Sequence, residues 1–356
     1  MELVALIPAH DEGAHIARTL DSLRRQVRRP DRVIVISDNS TDDTVAAARR
    51  AGAEVWETRD NTAMKAGALN QALDRLLPAL ADGDAVLVMD ADSVVSTAFL
   101  STARALLEGD GALGAVGGVF HGTTGGGLLG QLQRNEYLRY GRDIARHPAR
   151  VMVLTGTASV IRVSALRQVA AERGRGLPGT PGRVYDTLAL TEDNELTLAL
   201  KTLGWRLASP PRCRVTTEIM PSWSDLWRQR LRWQRGAVEN LRHYGLTRTT
   251  ARYWLQQAGI GFGVVALSSY FLLCALTLVY GQWSWNPFWL GIGVLFMVER
   301  VVTAWAGGTR ARLLAAVLLV ELVYDAVIQA VYVRALLDMA AGRAAGWHHP
   351  GQRDAA

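Results

Sequence analysis

The chain has 356 residues, is 49% hydrophobic and carries a formal charge of +6, a balance that fits a polar domain joined to a small membrane domain. The positive charge does not point to nucleic acid, because the arginines cluster just before the apolar segments, where anionic lipid accounts for them. The two cysteines, Cys213 and Cys274, lack metal-ligand spacing and read as reduced structural residues.

The chain opens on a short apolar run, Leu3 to Ile7, with no basic flank before it. No secretory signal is expected, and the N-terminal domain is expected to stay in the cytoplasm. The run ends at Pro8 and reads as a buried parallel strand. His15 to Gln26 has helical periodicity, with Ile16, Leu20 and Leu23 on one side. Arg32 to Ser37 is predicted to be a second buried strand, and Asp42 to Ala51 a helix capped by Thr41 or Asp42. Ala53 to Trp56 follows as a third strand, Lys65 to Leu80 as a third helix and Ala85 to Met89 as a fourth strand. Strand and helix alternate throughout, which predicts an α/β fold with a mostly parallel sheet and flanking helices.

Ligands of such sheets bind beyond the carboxyl ends of the strands. Three polar clusters stand there: Pro8-Ala9-His10-Asp11-Glu12, Asp38 to Asp43, and Asp90-Ala91-Asp92. No Gly-x-Gly-x-x-Gly follows the first strand and no phosphate-binding Gly-Lys-Ser/Thr loop is present, so a dinucleotide cofactor of the usual kind is not expected. Asp90 and Asp92 are two apart in an extended segment and point the same way. They read either as carboxylate ligands for a Mg²⁺ or Mn²⁺ ion that meets a diphosphate, or as a solvated turn before a helix near Ser96. Asp38 is placed to accept hydrogen bonds from a nucleotide base. Asn39 and Ser40 shape its turn. Lys65 heads a helix and reads as a phosphate contact or as a solvated helix charge. Gly67 points to close approach of backbone to ligand.

Thr191-Glu192-Asp193 stands between a glycine-rich loop and an amphipathic helix. A carboxylate there either caps the helix or serves as general base for a sugar hydroxyl; Asp193 is the expected base and Glu192 its support. The loop from Gly174 to Tyr185 has the composition of a lid or of a plain surface excursion. The residues from Gly156 to Ser159 alone read as a small-residue strand. Trp223 and Trp227 share a helical face suited to a membrane interface, with Arg228 and Arg230 as lipid anchors. Gln229, Arg232 and Trp233 cluster on the same helix. An arginine there can neutralise a departing diphosphate, and an indole can stack on a sugar.

No charged residue occurs from Tyr253 to Val298. That is long enough for two membrane crossings of roughly 20 residues each, joined by a turn at Gly281 to Pro287 and flanked by Trp283, Trp285 and Trp289. A third apolar segment, Leu313 to Leu337, carries Glu321, Asp325 and Arg334. It reads as a third crossing or as an amphipathic helix on the cytoplasmic side. Glu321 and Asp325 are four apart and are expected to meet another helix, a polar path or a second protomer. Arg242, Arg248 and Arg252 before the first crossing and Arg310 and Arg312 after the second keep both loops cytoplasmic. The side holding the C-terminus stays open. The expected organisation is a cytoplasmic domain over residues 1–245 with interfacial helices near 223–245, a membrane domain of about three crossings over 253–340, and a polar tail over 341–356 that includes His348 and His349.

Taken together, these motifs resemble the membrane-bound, inverting family 2 glycosyltransferases, among them the cellulose, chitin, hyaluronan and poly-N-acetylglucosamine synthases. The resemblance covers residues 3 to about 240 and continues into the apolar segments. It implies a glycosyltransferase-A type sheet followed by an α-helical membrane domain. It makes the Pro8 to Glu12 segment the first part of the nucleotide site, so that Pro8, Glu12, Asp38, Lys65, Asp90, Gln229, Arg232 and Trp233 are expected to contact a UDP-sugar. Asp90 and Asp92 match the metal motif, Asp193 the base and Gln229-Arg230-Leu231-Arg232-Trp233 the Gln-x-x-Arg-Trp signature. Gly156, Thr157, Ala158 and Ser159 resemble the loop under the acceptor sugar, joined there by Trp233. Gln133 to Tyr137 resembles the helix leading toward the acceptor channel; its residues alone read as a surface helix.

The implied reaction is metal-dependent transfer, with inversion, from UDP-glucose or UDP-N-acetylglucosamine to a growing polysaccharide or a glycolipid at the cytoplasmic membrane. The implied partners are membrane lipid, the donor, a glycan or glycolipid acceptor and a homo-oligomer that would help so few crossings handle a polymer. Two rivals are a transferase that makes a polyprenyl-phosphate or other lipid-linked monosaccharide, and a membrane-anchored carbohydrate-binding protein on an inactive fold.

Overall fold

Leu3–Ala9 (β1) is buried at every position, which requires cover on both faces and accounts for its unbroken apolar run. The computed structural model describes residues 1–148, 151–281, 284 and 286–343; Trp283, Trp285 and the His348–His349 pair lie outside them. The chain divides into two compact units. The first joins Met1–Thr123 to Gly141–Glu218, and the second joins Thr124–Tyr140 to the segment from Ile219 onward.

In the first unit Ile16–Arg24 (α1) buries Ile16, Leu20 and Leu23, as its periodicity predicts. Arg32–Ser37 (β2), Thr44–Arg50 (α2), Glu54–Glu57 (β3), Met64–Leu76 (α3) and Ala85–Met89 (β4) follow in the expected alternation. The predicted third helix is shorter than the expected run to Leu80, because Leu77–Ala79 tightens into a 3-10 turn at Pro78. Val94–Val95 (β5), Phe99–Gly109 (α4), Leu113–Gly117 (β6) and Val119–Gly122 (β7) come next. Gly127–Arg146 (α5) precedes Ala158–Arg162 (β8), Val163–Glu172 (α6), Glu192–Thr202 (α7), Arg206–Ala208 (β9) and Arg214–Thr217 (β10).

The main sheet runs β3-β2-β1-β4-β8-β6-β9, and a small sheet runs β5-β10-β7. Strand β1 pairs in parallel with β2 on one side and β4 on the other. The chain order therefore reverses between β1 and β4, and open α/β sheets bind ligands at such a switch point. The one strand out of direction is β8, antiparallel to both β4 and β6. Its starting end lies at the carboxyl end of β4, with Ala158 opposite Met89. The loop before β8 is thereby delivered to the edge where β1, β2 and β4 finish.

The second unit holds the residues of α5 up to Tyr140, then Trp223–Tyr244 (α8), Ala251–Val279 (α9), Pro287–Thr303 (α10), Gly308–Ala316 (α11) and Leu318–Ala340 (α12). Ser222 caps α8 by accepting from the Asp225 N–H at 3.1 Å. Helix α9 is long and apolar enough to cross a membrane, and none of its most apolar window is buried. Phe262 is 76% exposed and Val279 79%. A core helix of a water-soluble domain would hide such residues. Helix α10 and the stretch through Ala316 pass the same test only as a pair bent by 55°. Of the three crossings expected, one helix among the described residues is long and apolar enough to span a membrane, or two if the bent pair is one span. The third predicted segment is not one helix: Val317, with ψ of 74°, interrupts it between α11 and α12.

Glu321 is fully buried. It accepts from Arg139 at 2.8 Å and from Asn135 Nδ2 at 3.1 Å, and lies 3.5 Å from Arg300, which also pairs with Asp325. Both acids therefore meet partners on other helices, one of the outcomes expected of them. Glu136 accepts from the Tyr324 hydroxyl at 2.5 Å and from Arg230 at 2.8 Å. Asn135 and Gln133 are fully buried, and Gln133 exchanges two hydrogen bonds with the Met220 backbone. The surface-helix reading of Gln133 to Tyr137 fails because Gln133, Asn135 and Tyr137 are buried and Gln133, Asn135 and Glu136 are bonded to other elements of the unit. Glu321→Ala leaves two arginines without their shared acid, and breaking a buried ion pair from one side costs about 3–5 kcal/mol. The expected outcome is a thermal midpoint several degrees lower for the full chain, checked by thermal unfolding against Glu299→Ala, an exposed acid.

Candidate active site

Asp38 follows β2 and is buried. Its Oδ1 accepts from the Thr58 hydroxyl at 2.9 Å, from Asn61 Nδ2 at 2.8 Å and from Asn39 Nδ2 at 3.2 Å. Its own N–H donates to Ala9 O at 2.8 Å, so the loops after β1, β2 and β3 converge on it. Thr58 and Asn61 were not among the predicted site residues. They follow β3 as Asp38 follows β2, and the strand-end rule applied to the third strand would have found them. Asp11 holds the same loops from the other side, accepting from the Thr41 N–H at 2.7 Å and the Asp42 N–H at 3.3 Å. These bonds keep its carboxyl below the usual range. Asp11, Asn39, Asp60 and Met64 all have positive φ. Such conformations cost on the order of 1–3 kcal/mol each and gather where function fixes the backbone.

Pro8 is buried within β1. Glu12, just beyond that strand, receives Nδ1 of His15 at 2.9 Å, and burial raises its carboxyl above the usual range. Gly67 does not face a ligand. A Cβ there would stand 2.0 Å from Asn61 Oδ1 and 2.9 Å from Ala63 Cβ. Its smallness makes room for the side chain that holds Asp38, a reason for glycine that the sequence reading did not see.

Lys65, at the head of α3, is neither a solvated charge nor free for a phosphate in this structure. Its Nζ stands 2.6 Å from Asp90 Oδ1 and 2.8 Å from Glu192 Oε1, tying the end of β4 to the start of α7. Burial works to lower the Lys65 ammonium, but Asp90 and Glu192 outweigh it and hold it well above its ordinary value. Asp193 sits beside this bridge. The Gly156 N–H donates to its Oδ2 at 2.9 Å and the Asn194 N–H to its Oδ1 at 2.7 Å. The loop before β8 thus aims the carboxylate, while the helix N-terminus favours its charge. Burial, reinforced by Glu192, pushes Asp193 up to about 6; Lys65 and the two N–H donors oppose the rise. Burial also pushes Asp90 up to about 6 against the pull of Lys65, with Asp92 and Glu192 adding to the rise.

Asp92 is raised by burial and then by Glu12 and Glu218. Glu218 was not predicted; it lies just after β10, which the sequence reading did not resolve. Among the described residues no three His, Cys, Asp or Glu side chains converge as a metal cage. Two carboxylates with open positions are nevertheless the donor set that Mg²⁺ and Mn²⁺ use when substrate phosphate and water complete the shell. Asp90 and Asp92 fit that chemistry.

A cavity of about 20 Å³ opens beside the cluster, lined by Lys65, Thr155, Gly156, Tyr185, Glu192 and Asp193 among others. Thr157 O accepts from the Asp90 N–H at 3.1 Å and the Ser159 hydroxyl donates to Thr155 O at 2.8 Å, so Gly156 to Ser159 is held against β4. Ala158 is fully buried in β8. The segment from Gly174 to Tyr185 is not a lid in this structure. Buried Arg173 donates to Pro178 O at 2.8 Å, to Val184 O at 2.6 Å and to Glu195 Oε2 at 2.6 Å, pinning the segment to α7.

The cluster described so far is built wholly from the first unit. Gln229, Arg232 and Trp233 are carried by α8 in the second. Arg230 is no lipid anchor: it is buried, paired with Glu136 at 2.8 Å, and stacked 4.3 Å from the Trp233 ring centroid.

The sheet order, its switch point and the acids at the strand ends define a mixed α/β, glycosyltransferase-A-like fold with flanking helices. Residues 2–236 match the model of a family described as glycosyltransferase like family 2, and the chain belongs to that family. It is 25% identical over 255 residues to a poly-β-1,6-N-acetyl-D-glucosamine synthase of Staphylococcus aureus, an alignment covering 70% of this chain and 58% of that protein. It is 28% identical over 249 residues to the probable glycosyltransferase YdaM of Bacillus subtilis, covering 65% of this chain and 54% of that one. The chain therefore spans somewhat over half the length of these curated relatives. Among solved structures, a mannosyltransferase from Pyrobaculum calidifontis in complex with GDP-mannose and Mn²⁺ shares the fold, with a TM-score of 0.55 and 19% identity over 95% of this chain and 86% of that one.

Gly67→Ala is expected to displace Asn61 and loosen Asp38. Overpacking of this kind costs about 1–3 kcal/mol, so chemical denaturation should show a lower midpoint with an unchanged slope. An unaltered midpoint would mean that Asn61 does not need the space.

Proposed function

We propose that the chain is an inverting glycosyltransferase acting at a membrane, transferring a sugar from a UDP-sugar to a growing polysaccharide or glycolipid. The observation that carries this reading is the Asp193 carboxylate, aimed by the Gly156 N–H and set beside the Lys65 bridge between Asp90 and Glu192. Asp193 takes the proton of the acceptor hydroxyl as that oxygen attacks the anomeric carbon in a single displacement. Gly156 and Asn194 hold the carboxylate in one orientation throughout. Lys65 lies where a diphosphate would draw it away from one of its two acids. Asp38 accepts from the base, and Pro8 and Glu12 border the same crevice. Asp90 and Asp92 would hold Mn²⁺ or Mg²⁺, which when bound supplies positive charge to the diphosphate. The family signature assigns Gln229 and Arg232 to the leaving diphosphate and Trp233 to the sugar. Gly156 to Ser159 underlie the acceptor.

Glucose or N-acetylglucosamine is the proposed donor sugar. The synthesis of poly-β-1,6-N-acetyl-D-glucosamine named for the Staphylococcus aureus relative supports a polymer as product. The exposed apolar surface of α9 supports a membrane anchor, and Arg242, Arg248 and Arg252 before it support a cytoplasmic side for the first unit. A second protomer remains part of this proposal as the means of handling a polymer.

Nucleotide release from UDP-glucose and UDP-N-acetylglucosamine in native membranes tests the reaction. EDTA should abolish release and Mn²⁺ restore it, and Asp193→Asn should lower kcat by at least about a hundredfold. A base raised to about 6 is protonated below that pH. The value of kcat/KM should therefore fall roughly tenfold per pH unit below about 6 and level off above it. Full activity of Asp193→Asn, or release that ignores EDTA, would overturn the mechanism.

A further inference from the structure

The cavity beside Asp193 is lined in part by a residue whose side-chain oxygen has no protein partner among the described residues. Tyr185 ends the glycine-rich segment after α6. Its main chain is fixed on both sides: its N–H donates to Asn70 Oδ1 at 2.9 Å, and Asn70 Nδ2 donates to its carbonyl at 2.9 Å. Asn70 is itself buried on α3. The Arg173–Glu195 pair fixes the preceding residues through the Val184 carbonyl. Tyr185 is only 3% exposed, so neither its backbone nor its ring is free to wander.

The phenol oxygen is another matter. Among the described residues it makes no hydrogen bond; every bond of Tyr185 runs through its main chain. Nor is the oxygen sealed against packed protein. Tyr185 lines the cavity together with Lys65, Thr155, Glu192 and Asp193, so its hydroxyl opens onto the space in front of the acid. A buried hydroxyl with no partner lowers stability, and phenylalanine would fill the same volume without that penalty. The oxygen is therefore available to a polar group presented at the mouth of the cavity.

We infer that Tyr185 is a specificity-determining residue whose hydroxyl hydrogen-bonds a ring hydroxyl of the sugar held beside Asp193. The inference rests on Asp193 as the base of a sugar transfer. A rigid, pinned donor of this kind discriminates well, because a sugar lacking the hydroxyl or presenting its epimer leaves the buried oxygen unpaired. The double anchoring by Asn70 and Arg173 is what makes the reading geometrically selective, since a mobile loop would follow either epimer.

Tyr185→Phe removes one oxygen and leaves both bonds to Asn70. Two measurements on the full chain decide the matter. The thermal midpoint should stay within about a degree of wild type or rise, because the lost oxygen has no partner to forfeit. The kcat/KM for nucleotide release should fall at least tenfold. UDP-glucose, UDP-N-acetylglucosamine and their galacto epimers are compared as donors. A fall confined to one epimer assigns the bond to the donor sugar, and a uniform fall assigns it to the acceptor sugar; either upholds the inference. A midpoint several degrees lower would show that the hydroxyl is bound internally and would overturn it. So would a kcat/KM within twofold of wild type for every donor. Wild-type protein that releases no nucleotide from any donor would instead defeat the transferase reading itself, and this inference with it.

Discussion

One ammonium group holds the site together. Lys65 stands between Asp90 and Glu192 at ion-pair distance from both, and so joins the start of α3, the end of β4 and the start of α7. Without it, Asp90, Asp92, Glu192 and Asp193 would be four acids gathered in a poorly solvated crevice. Like charges so placed repel and drive one another toward the protonated form. A single cation offsets part of that repulsion, and what is left appears as the upward shift of Asp90 and Asp193. The fold thus keeps a surplus of negative charge at the switch point. A divalent cation and a bridging lysine suit that surplus.

Much of this was legible in the sequence because parallel sheets are simple to read. Buried strands appear as unbroken apolar runs, and the residues just after them face the ligand edge. Asp38, Asp90 and Asp92 followed from that rule, and Asp193 from its place at the head of an amphipathic helix. The partners of these residues were not legible. Nothing local in Asn70 marks it as the clamp on Tyr185, 115 positions later. Nothing local in Arg173 or Glu195 marks them as a buried pair, yet both are buried and bonded to each other. Arg230 was misread for the same reason: helical periodicity gives a face but not what the face meets. Strands β5, β6, β7, β9 and β10, two to five residues long, were not among the predicted elements.

The second unit follows a different logic. Its helices present apolar surface outward and gather charge inward. Glu321, Asp325, Arg139 and Arg300 satisfy one another, as do Glu136, Arg230 and Tyr324. Polar groups in such a setting cost a great deal unless paired, and here each acid has an arginine. That pairing also explains why the last apolar segment looked weak as a crossing. Its acids belong to an internal network, and the backbone break at Val317 divides the segment into two helices with separate contacts.

The reversed direction of β8 has a consequence for how the molecule comes into being. During synthesis the residues around Asp38 and Asp90 emerge early, with β1, β2 and β4 already able to pair. The loop that aims Asp193 reaches its place only when β8 turns back along β4, and Asp193 itself lies further on still. Contacts of such long sequence separation form late and slowly. The edge formed by the ends of β1, β2 and β4 can therefore assemble on the ribosome while Asp193 is still unmade, and the proposed base joins it only after the greater part of the first unit has left the exit tunnel.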